Sequence, residues 1–379
     1  YRSALGIRRL PYIWKGTLYQ FGGFAIMPFA LLVLSGYGYA ADAPRWVGLL
    51  TAAIAFLLVG AGGHMVQTVG LALATDLVKE EDQPKVVGLM YVMLLFGMVG
   101  SALVYGALLE NFTPGRLVQV IQGSAVVTVA VNLFAMWKQE GRNRDRALAM
   151  QNAPERAFKQ AWATLVARPK LKPLLIAVGL GTFGFSMADV LLEPYGGEAL
   201  GFTVAQTTEL TALLAAGTLI GFAIASRALS RDGAPDQLAL TGALIGIPGF
   251  VAIILSSSMV GPPLFILGTA ITGLGAGLFG HATLTGTIRN APKDQIGLTL
   301  GAWGAVQATC AGIGVALAGI TRDLFVAMQS GTGLPAHAPY NIVFMIEIAF
   351  LAAATFVAFT LMDRRAKRVR APDRVANQT

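Results

Sequence analysis

Ten stretches of the sequence are long and apolar enough to cross a membrane. A transmembrane helix needs about 20 mostly apolar residues. Only 13% of the 379 residues are charged and 55% are hydrophobic, whereas soluble proteins carry about 25% charged residues. This balance argues against a water-soluble enzyme, a disordered tail or a DNA-binding domain. The predicted spans are 12–35, 46–75, 86–109, 117–137, 173–193, 205–227, 237–258, 262–287, 296–320 and 340–362.

The positions of Lys and Arg predict how the spans are oriented. All of the 28 basic residues except Arg45, Arg116 and Arg322 fall on one side of the predicted bundle. Basic loops stay in the cytoplasm, so both ends of this chain are expected there. The orientation of the spans then explains the net charge of +8, and no polyanionic partner is required to explain it.

The connection 138–172 is the exception among mostly short loops, and it is strongly basic. Its helical rhythm around Phe158, Trp162 and Leu165 predicts an amphipathic helix at the membrane surface. Four spans precede this connection and six follow it. We therefore expect an N-terminal half at 1–137, a central cytoplasmic loop at 138–172, a C-terminal six-helix half at 173–363 and a basic tail at 364–379.

An internal repeat supports two related halves. Gly63-His64 and Gly280-His281 are each followed by a charged loop containing Asp-Gln and then by Gly-Leu at the start of the next helix. Transporter-like bundles are often built from two such repeats. The chain begins on a basic turn, Gly6-Ile-Arg-Arg, which is similar to the loop between helices two and three of the major facilitator superfamily. We therefore expect an all-α membrane bundle of two pseudo-symmetric six-helix halves, with about ten of the twelve helices present here.

Two histidines are candidate ligands for the metal of a planar macrocycle. His64 and His281 lie in the cytoplasmic halves of their spans, and ionisable groups inside a membrane usually mark a function. A neutral imidazole nitrogen can ligate a metal, including the magnesium of a chlorin. The competing interpretation is that each histidine bonds a neighbouring helix, while the glycines beside it only let helices approach. The residues assigned to pigment contact or helix packing are Gly60, Gly63, Gln67, Gly277, Gly280 and Gln307.

Three acidic residues lie inside predicted spans. Asp189 and Glu193 are four residues apart, which places them on one helix face near its periplasmic end. Pro194 and the glycine pair after it are expected to end that helix. The two acids form either a cation or proton site or ion pairs with the arginines of the periplasmic loops, and the second alternative is favoured. Glu347, in the last span, is expected to hydrogen-bond a partner helix.

The motifs of several enzyme classes are absent from the sequence. It contains no GxxxxGK[ST], HExxH or GxSxG, and its single cysteine, Cys310, cannot form an internal disulfide or a Cys-based metal site. We therefore expect no catalytic residues, no protein-bound metal site and no enzyme.

Several long strings resemble one family. LGIRRLPYIWKG near the start, DVLLEPYGG at 189–197 and LTLGAWGAVQAT at 298–309 are similar to the PucC/LhaA group, the bacteriochlorophyll delivery branch of the major facilitator superfamily. The resemblance runs through essentially the whole chain. It implies an assembly factor for the light-harvesting antenna complexes LH1 or LH2, in the bacterial inner, intracytoplasmic photosynthetic membrane.

The resemblance also implies partners and a cofactor. Members of the group are thought to bind bacteriochlorophyll transiently and to deliver it to the antenna α and β polypeptides during their insertion and oligomerisation. Carotenoid or lipid are further candidate ligands. Chlorophyll synthase, the Sec/YidC insertion machinery and the reaction centre-LH1 complex are the implied neighbours. No nucleic acid partner is expected.

Two other functions stay open from the sequence. One is a major facilitator-type transporter of a small organic solute or a pigment precursor, which requires converging polar groups at the bilayer midplane. Only Glu347 and the glutamines are candidates for polar groups at the midplane. The other is a structural subunit of a photosynthetic supercomplex that binds no pigment, for which both histidines are dispensable.

Overall fold

The computed structural model describes residues 7, 9–36, 42–79, 82–140, 162–165, 167–231, 233–257, 261–291, 295–329 and 335–370. All regular secondary structure within these ranges is helical. Among these described residues, ten segments are long and apolar enough to cross a membrane, and each overlaps one predicted span, so the prediction of ten spans is confirmed. The α-helices are α1 (Leu10–Ser35), α2 (Arg45–Asp76), α3 (Gln83–Leu108), α4 (Pro114–Met136), α5 (Leu171–Ser186), α6 (Leu192–Leu200), α7 (Val204–Leu229), α8 (Pro235–Ser256), α9 (Pro262–Asn290), α10 (Ile296–Gln329) and α11 (Ala338–Arg370).

Local sequence signals explain where several helices begin. Helix α4 starts with Pro114, and the Thr113 side chain accepts a hydrogen bond from the Arg116 amide at 3.0 Å. Proline costs nothing in a first turn, because its missing N–H has no partner inside the helix. Helix α7 starts with a capping box, in which Thr203 and Gln206 each accept a hydrogen bond from the other's backbone N–H.

The first of two contact units comprises residues 1–87 and 107–157. In it α1 packs against α2 and α4. A Cβ added at Gly16 would lie 2.9 Å from the carbonyl oxygen of Gly62, and Gly62 meets the Gly16 carbonyl in the same way. Small residues therefore let these two backbones touch directly. The Asn132 side chain on α4 donates a hydrogen bond to the Thr17 hydroxyl on α1 at 3.0 Å.

The second contact unit comprises residues 88–106 and 158–379. Glycines again permit close helix contact, since a Cβ at Gly242 on α8 would lie 2.8 Å from the carbonyl oxygen of Gly275 on α9. A buried aromatic cluster connects α6 to α8, α9 and α11. It consists of Tyr195, Phe250, Phe265, Tyr340 and Phe344. The predicted division into halves at 137 and 172 stays a prediction.

The fifth span is broken, which corrects one expectation. Helix α5 ends at Ser186, a 3₁₀ turn covers Ala188–Val190, and α6 then runs to Leu200. Pro194 does not end the helix, because it occupies the first turn of α6, where its missing N–H has no intrahelical partner. Helix α6 ends instead at Gly201, whose φ of +72° is left-handed and suits glycine.

Only part of the basic connection can be compared with its prediction. Residues 141–161 and 166, including Phe158, lie outside the described residues, as do residues 371–379 of the tail. Trp162 and Leu165 belong to one helical turn. Leu165 is fully buried and packs with Leu171 and Ala302, so this turn is anchored in the second unit by its apolar side chain.

Candidate functional site

His64 lies on an exposed face of α2. Gly60, one turn earlier, is also exposed, and apart from the nearby backbone of α2 itself no atom of the described residues lies within 4 Å of the position that a Cβ would take there. Leu57, three residues before Gly60, is 70% exposed. Residues 57, 60 and 64 share one side of the helix by the 3.6-residue period. We call this surface, made of Leu57, Gly60 and His64, the α2 strip.

The other glycines near His64 serve helix packing. Gly62 faces the backbone of α1, and a Cβ at Gly63 would lie 3.4 Å from Nε2 of Gln20. Gln67 is half-buried and makes no hydrogen bond to another described residue. The glycines of this segment therefore divide by helix face. Gly62 and Gly63 meet α1, while Gly60 leaves the surface beside His64 open.

His281 is enclosed, unlike His64. It is 6% exposed, and its ring centroid lies 4.0 Å from that of Phe222 on α7. A Cβ at Gly88 would lie 3.9 Å from its Cε1. The same Phe222 ring also stacks with Tyr91 on α3, with ring centroids 5.8 Å apart. His281 is therefore packed among α3, α7 and α9 side chains, with its Nδ1 buried and unbonded to any described residue.

The glycines before His281 also differ from those before His64. Gly277 faces the backbone carbonyl of Thr218 on α7, so it belongs to helix packing. Gly280 has no atom within 4 Å of its Cβ position, but it is half-buried. Gln307 on α10 is half-buried and makes no hydrogen bond within the described part of the chain. The repeat in the sequence therefore does not give the two histidines equivalent surroundings.

Asp189 and Glu193 do not share one helix face, contrary to the prediction. Asp189 belongs to the 3₁₀ turn and is exposed, whereas Glu193 lies in the first turn of α6. The Thr211 hydroxyl donates a hydrogen bond to Oε1 of Glu193 at 2.6 Å. Arg322, predicted as a partner for these acids, instead pairs with two other carboxylates that the sequence analysis did not single out.

Arg322 on α10 organises a polar network at the end of α6. Its Nη2 contacts Oε2 of Glu198 at 2.7 Å, and its Nη1 contacts Oδ1 of Asp323 at 2.9 Å. The Tyr340 hydroxyl donates to Oε2 of Glu198 at 2.6 Å and accepts from Nη2 of Arg322 at 2.8 Å. The network connects α6, α10 and α11.

Glu347 is the most buried acidic side chain among the described residues, with no exposed surface. The backbone N–H of Ala188 donates to its Oε1 at 2.5 Å. The expected hydrogen bond between Glu347 and a partner helix is therefore present, and it is made to the break between α5 and α6. Sequence reasoning had no signal for this partner, which is 159 residues away.

Sequence comparison shows the family of the chain. A family model described as "PUCC protein" matches residues 1–366. Protein PucC of Rhodobacter capsulatus is 63% identical over 366 residues, which are 96% of this chain and 79% of that protein. Protein PucC of Rhodovulum sulfidophilum is 57% identical over 343 residues, 90% of this chain and 75% of that protein. The "bacteriochlorophyll synthase 44.5 kDa chain" of Rhodobacter capsulatus is 25% identical over 331 residues, 85% of this chain and 74% of that protein.

Structural comparison shows the fold. A bacterial homologue of the iron transporter ferroportin, in an outward-facing state, superposes with a TM-score of 0.62 at 16% identity, covering 94% of this chain and 83% of that one. A bacterial homologue of the lysosomal transporter Spinster gives a TM-score of 0.60 at 17% identity, covering 94% and 83%. These neighbours share the transporter fold of the major facilitator superfamily. This multi-pass membrane protein therefore has that fold, and by the sequence comparison it belongs to the PUCC protein family.

Proposed function

We propose that this protein is an assembly factor for bacterial light-harvesting antenna complexes, LH1 or LH2. It binds bacteriochlorophyll transiently and delivers it to the antenna α and β polypeptides during their insertion and oligomerisation. The protein acts in the bacterial inner, intracytoplasmic photosynthetic membrane, with both ends of this chain on the cytoplasmic side. It performs no catalysis. Chlorophyll synthase, the Sec/YidC machinery and the reaction centre-LH1 complex are its proposed neighbours.

Family membership supports the pigment part of the proposal. A relative of 25% identity carries a name that refers to bacteriochlorophyll synthesis, and relatives of 57% and 63% identity are named Protein PucC. The scarcity of charge inside the spans suits an apolar ligand better than a small polar solute. A chlorin with its isoprenoid tail is such a ligand, and a transmembrane surface can bind it without exposing it to water.

The α2 strip is the observation that carries the proposal. A chlorin magnesium takes an axial ligand, and an exposed imidazole can supply a nitrogen for it. The open surface at Gly60 admits a flat ring against the helix, and the apolar Leu57 side chain extends the contact surface. Gln67, one turn beyond His64, is a further candidate contact. Carotenoid or lipid can occupy the same apolar surface, but neither needs the imidazole.

His281 is a weaker candidate than His64 for the magnesium ligand in this proposal. Phe222 lies against its ring, so a macrocycle reaches it only if that side chain moves. Packing is the simpler role for His281, and Gly277 and Gln307 share it. Gly280, beside this histidine, has open space at its Cβ position.

Complementation of a strain lacking this protein tests the proposal. We expect His64→Phe and Gly60→Leu to lower the antenna absorption bands of isolated membranes relative to wild type, with equal amounts of the assembly factor present. Gly123→Leu is the matched control, because Gly123 is also exposed on a span with no atom within 4 Å of its Cβ position. Normal antenna levels in both α2 strip variants would remove His64 and Gly60 from the mechanism.

The same strains separate the two alternatives. A transporter of a pigment precursor predicts that precursor accumulates when the protein is absent and that added bacteriochlorophyll restores the antenna. A structural subunit predicts that the protein stays in stoichiometric amount in the finished antenna complex. Delivery predicts neither, because the factor leaves once its pigment is transferred.

A further inference from the structure

We propose that Glu347 and Asp189 hold one small monovalent cation, a proton or Na⁺, at the break between α5 and α6. This inference is independent of pigment binding. It starts from Glu347, which is fully buried and uses only one of its two carboxyl oxygens. Its Oε2 is also buried and has no hydrogen-bond partner among the described residues.

An unpaired carboxylate oxygen in an apolar interior is unfavourable. Burying a charge without a partner costs far more than burying a hydrogen-bonded one, and the single backbone N–H of Ala188 supplies no net positive charge. Either a proton or a bound cation neutralises such a group. Ionisable residues within membrane spans commonly mark ion or proton pathways for this reason.

Two neighbours of Glu347 contribute negative charge. Asp189 directly follows Ala188, whose N–H bonds Glu347, so a second carboxylate lies in the same 3₁₀ turn that contacts Glu347. Helix α5 ends two residues before Ala188, and the C-terminal end of a helix carries a partial negative charge. Many transporters contain broken spans, and the free backbone carbonyls at the break coordinate the coupling Na⁺ or proton.

Among the described residues of the helices that pack against α11, no free cationic side chain is available to neutralise Glu347. The helices α5, α8 and α10 pack against α11. Their charged residues within the described ranges, apart from the site itself, lie near helix ends, and Arg322 is already engaged by Glu198 and Asp323. These residues are Lys172 on α5, Asp236 on α8, and Arg322 and Asp323 on α10.

The donor set suits a monovalent cation. Two carboxylates, one hydroxyl and backbone carbonyls are hard oxygen ligands, and the described residues contain no group of three or more His, Cys, Asp or Glu that could hold a metal ion. Ser186 is a candidate third ligand, because it is 6% exposed and its hydroxyl has no hydrogen-bond partner among the described residues. Asp189 is exposed, so it provides the entrance to the buried Glu347.

Infrared difference spectroscopy of the protein in lipid nanodiscs tests the site directly. In sodium-free buffer, a pH step should reveal the C=O stretch of one protonated carboxyl that is present in wild type and absent in Glu347→Gln. Glutamine keeps an oxygen that can accept the Ala188 N–H. Glu193→Gln is the matched control, because Glu193 already accepts the Thr211 hydroxyl and should leave the band unchanged.

Adding NaCl at constant pH and ionic strength distinguishes the two cations. Loss of the band together with equimolar binding of ²²Na⁺ identifies Na⁺, and an unchanged band identifies the proton. Asp189→Asn removes one negative charge and should weaken cation binding about tenfold, which keeps the test informative if Glu347→Gln does not fold. The proposal is overturned if neither the carboxyl band nor ²²Na⁺ binding depends on Glu347 or Asp189.

Discussion

Alanine should destabilise the protein at Gly62 but not at Gly60, although the two residues are on the same helix. A Cβ at Gly62 would lie 2.7 Å from the backbone nitrogen of Gln20 and 2.8 Å from its Cγ, whereas no atom lies within 4 Å of the Cβ position at Gly60. Gly62→Ala therefore forces α1 and α2 apart. Overpacking of this kind costs about 1–3 kcal/mol.

Gly60→Ala has no such cost. Alanine is favoured over glycine in a helix by about 0.8–1 kcal/mol, so this variant should be as stable as wild type or slightly more stable. We expect the two variants to differ by about 1–4 kcal/mol in the free energy of unfolding. Titration of the folded protein in mixed micelles with a denaturing detergent, followed by circular dichroism, measures that difference.

The neighbouring helix offers a second matched pair. A Cβ at Gly23 on α1 would lie 2.6 Å from the carbonyl oxygen of Ala55, and Gly22 has no atom within 4 Å. Gly23→Ala should therefore behave like Gly62→Ala, and Gly22→Ala like Gly60→Ala. Equal stability of all four variants would show that the backbones of α1 and α2 are not in direct contact, and the argument would fail.

Two further substitutions test polar contacts between helices. Asn132→Leu removes the hydrogen bond to Thr17 (3.0 Å). The loss should cost about 0.6 kcal/mol of unfolding free energy, the mean for such bonds in a membrane protein. Val131→Leu, at the neighbouring exposed residue, is the control, and an equal cost for both variants would show that the hydrogen bond does not stabilise the protein. Tyr340→Phe removes the hydroxyl that bonds Glu198 and Arg322, and we expect a loss of about 1 kcal/mol in the same titration. An unchanged unfolding midpoint would mean that the network at the end of α6 does not stabilise the protein.

The number and extent of the spans could be predicted because they depend on local hydropathy. The second predicted span, 46–75, differs from α2 by one residue at each end. The basic residues also carry local information. Nothing in these signals depends on which helix packs against which, so they need no knowledge of the tertiary structure.

The break in the fifth span could not be predicted in the same way. The sequence places its strongest helix-breaking signals at Pro194 and the glycines after it, yet α5 ends at Ser186. The N–H of Ala188 donates a hydrogen bond to Glu347, a residue 159 positions away. A contact between residues so far apart leaves no mark in the local sequence.

The two histidines illustrate the same limit. A shared Gly-His pattern predicts similar roles for His64 and His281. Whether such a histidine is open or covered depends on the residue that reaches it from another helix, here Phe222 from α7. The pattern therefore locates candidates, but it does not distinguish an exposed ligand from a packed side chain.

The near-infrared absorption of the purified protein tests pigment binding by the α2 strip most directly. The full-length factor is isolated gently from native photosynthetic membranes, freed of antenna polypeptides, and its bound bacteriochlorophyll is quantified per protein for wild type, His64→Phe and His281→Phe. The account predicts pigment in wild type and in His281→Phe, and bound pigment per protein reduced about tenfold or more in His64→Phe, because even the loss of an outer-shell partner of a metal ligand lowers metal affinity by that much. A colourless wild type, or equal pigment in wild type and His64→Phe, would contradict it.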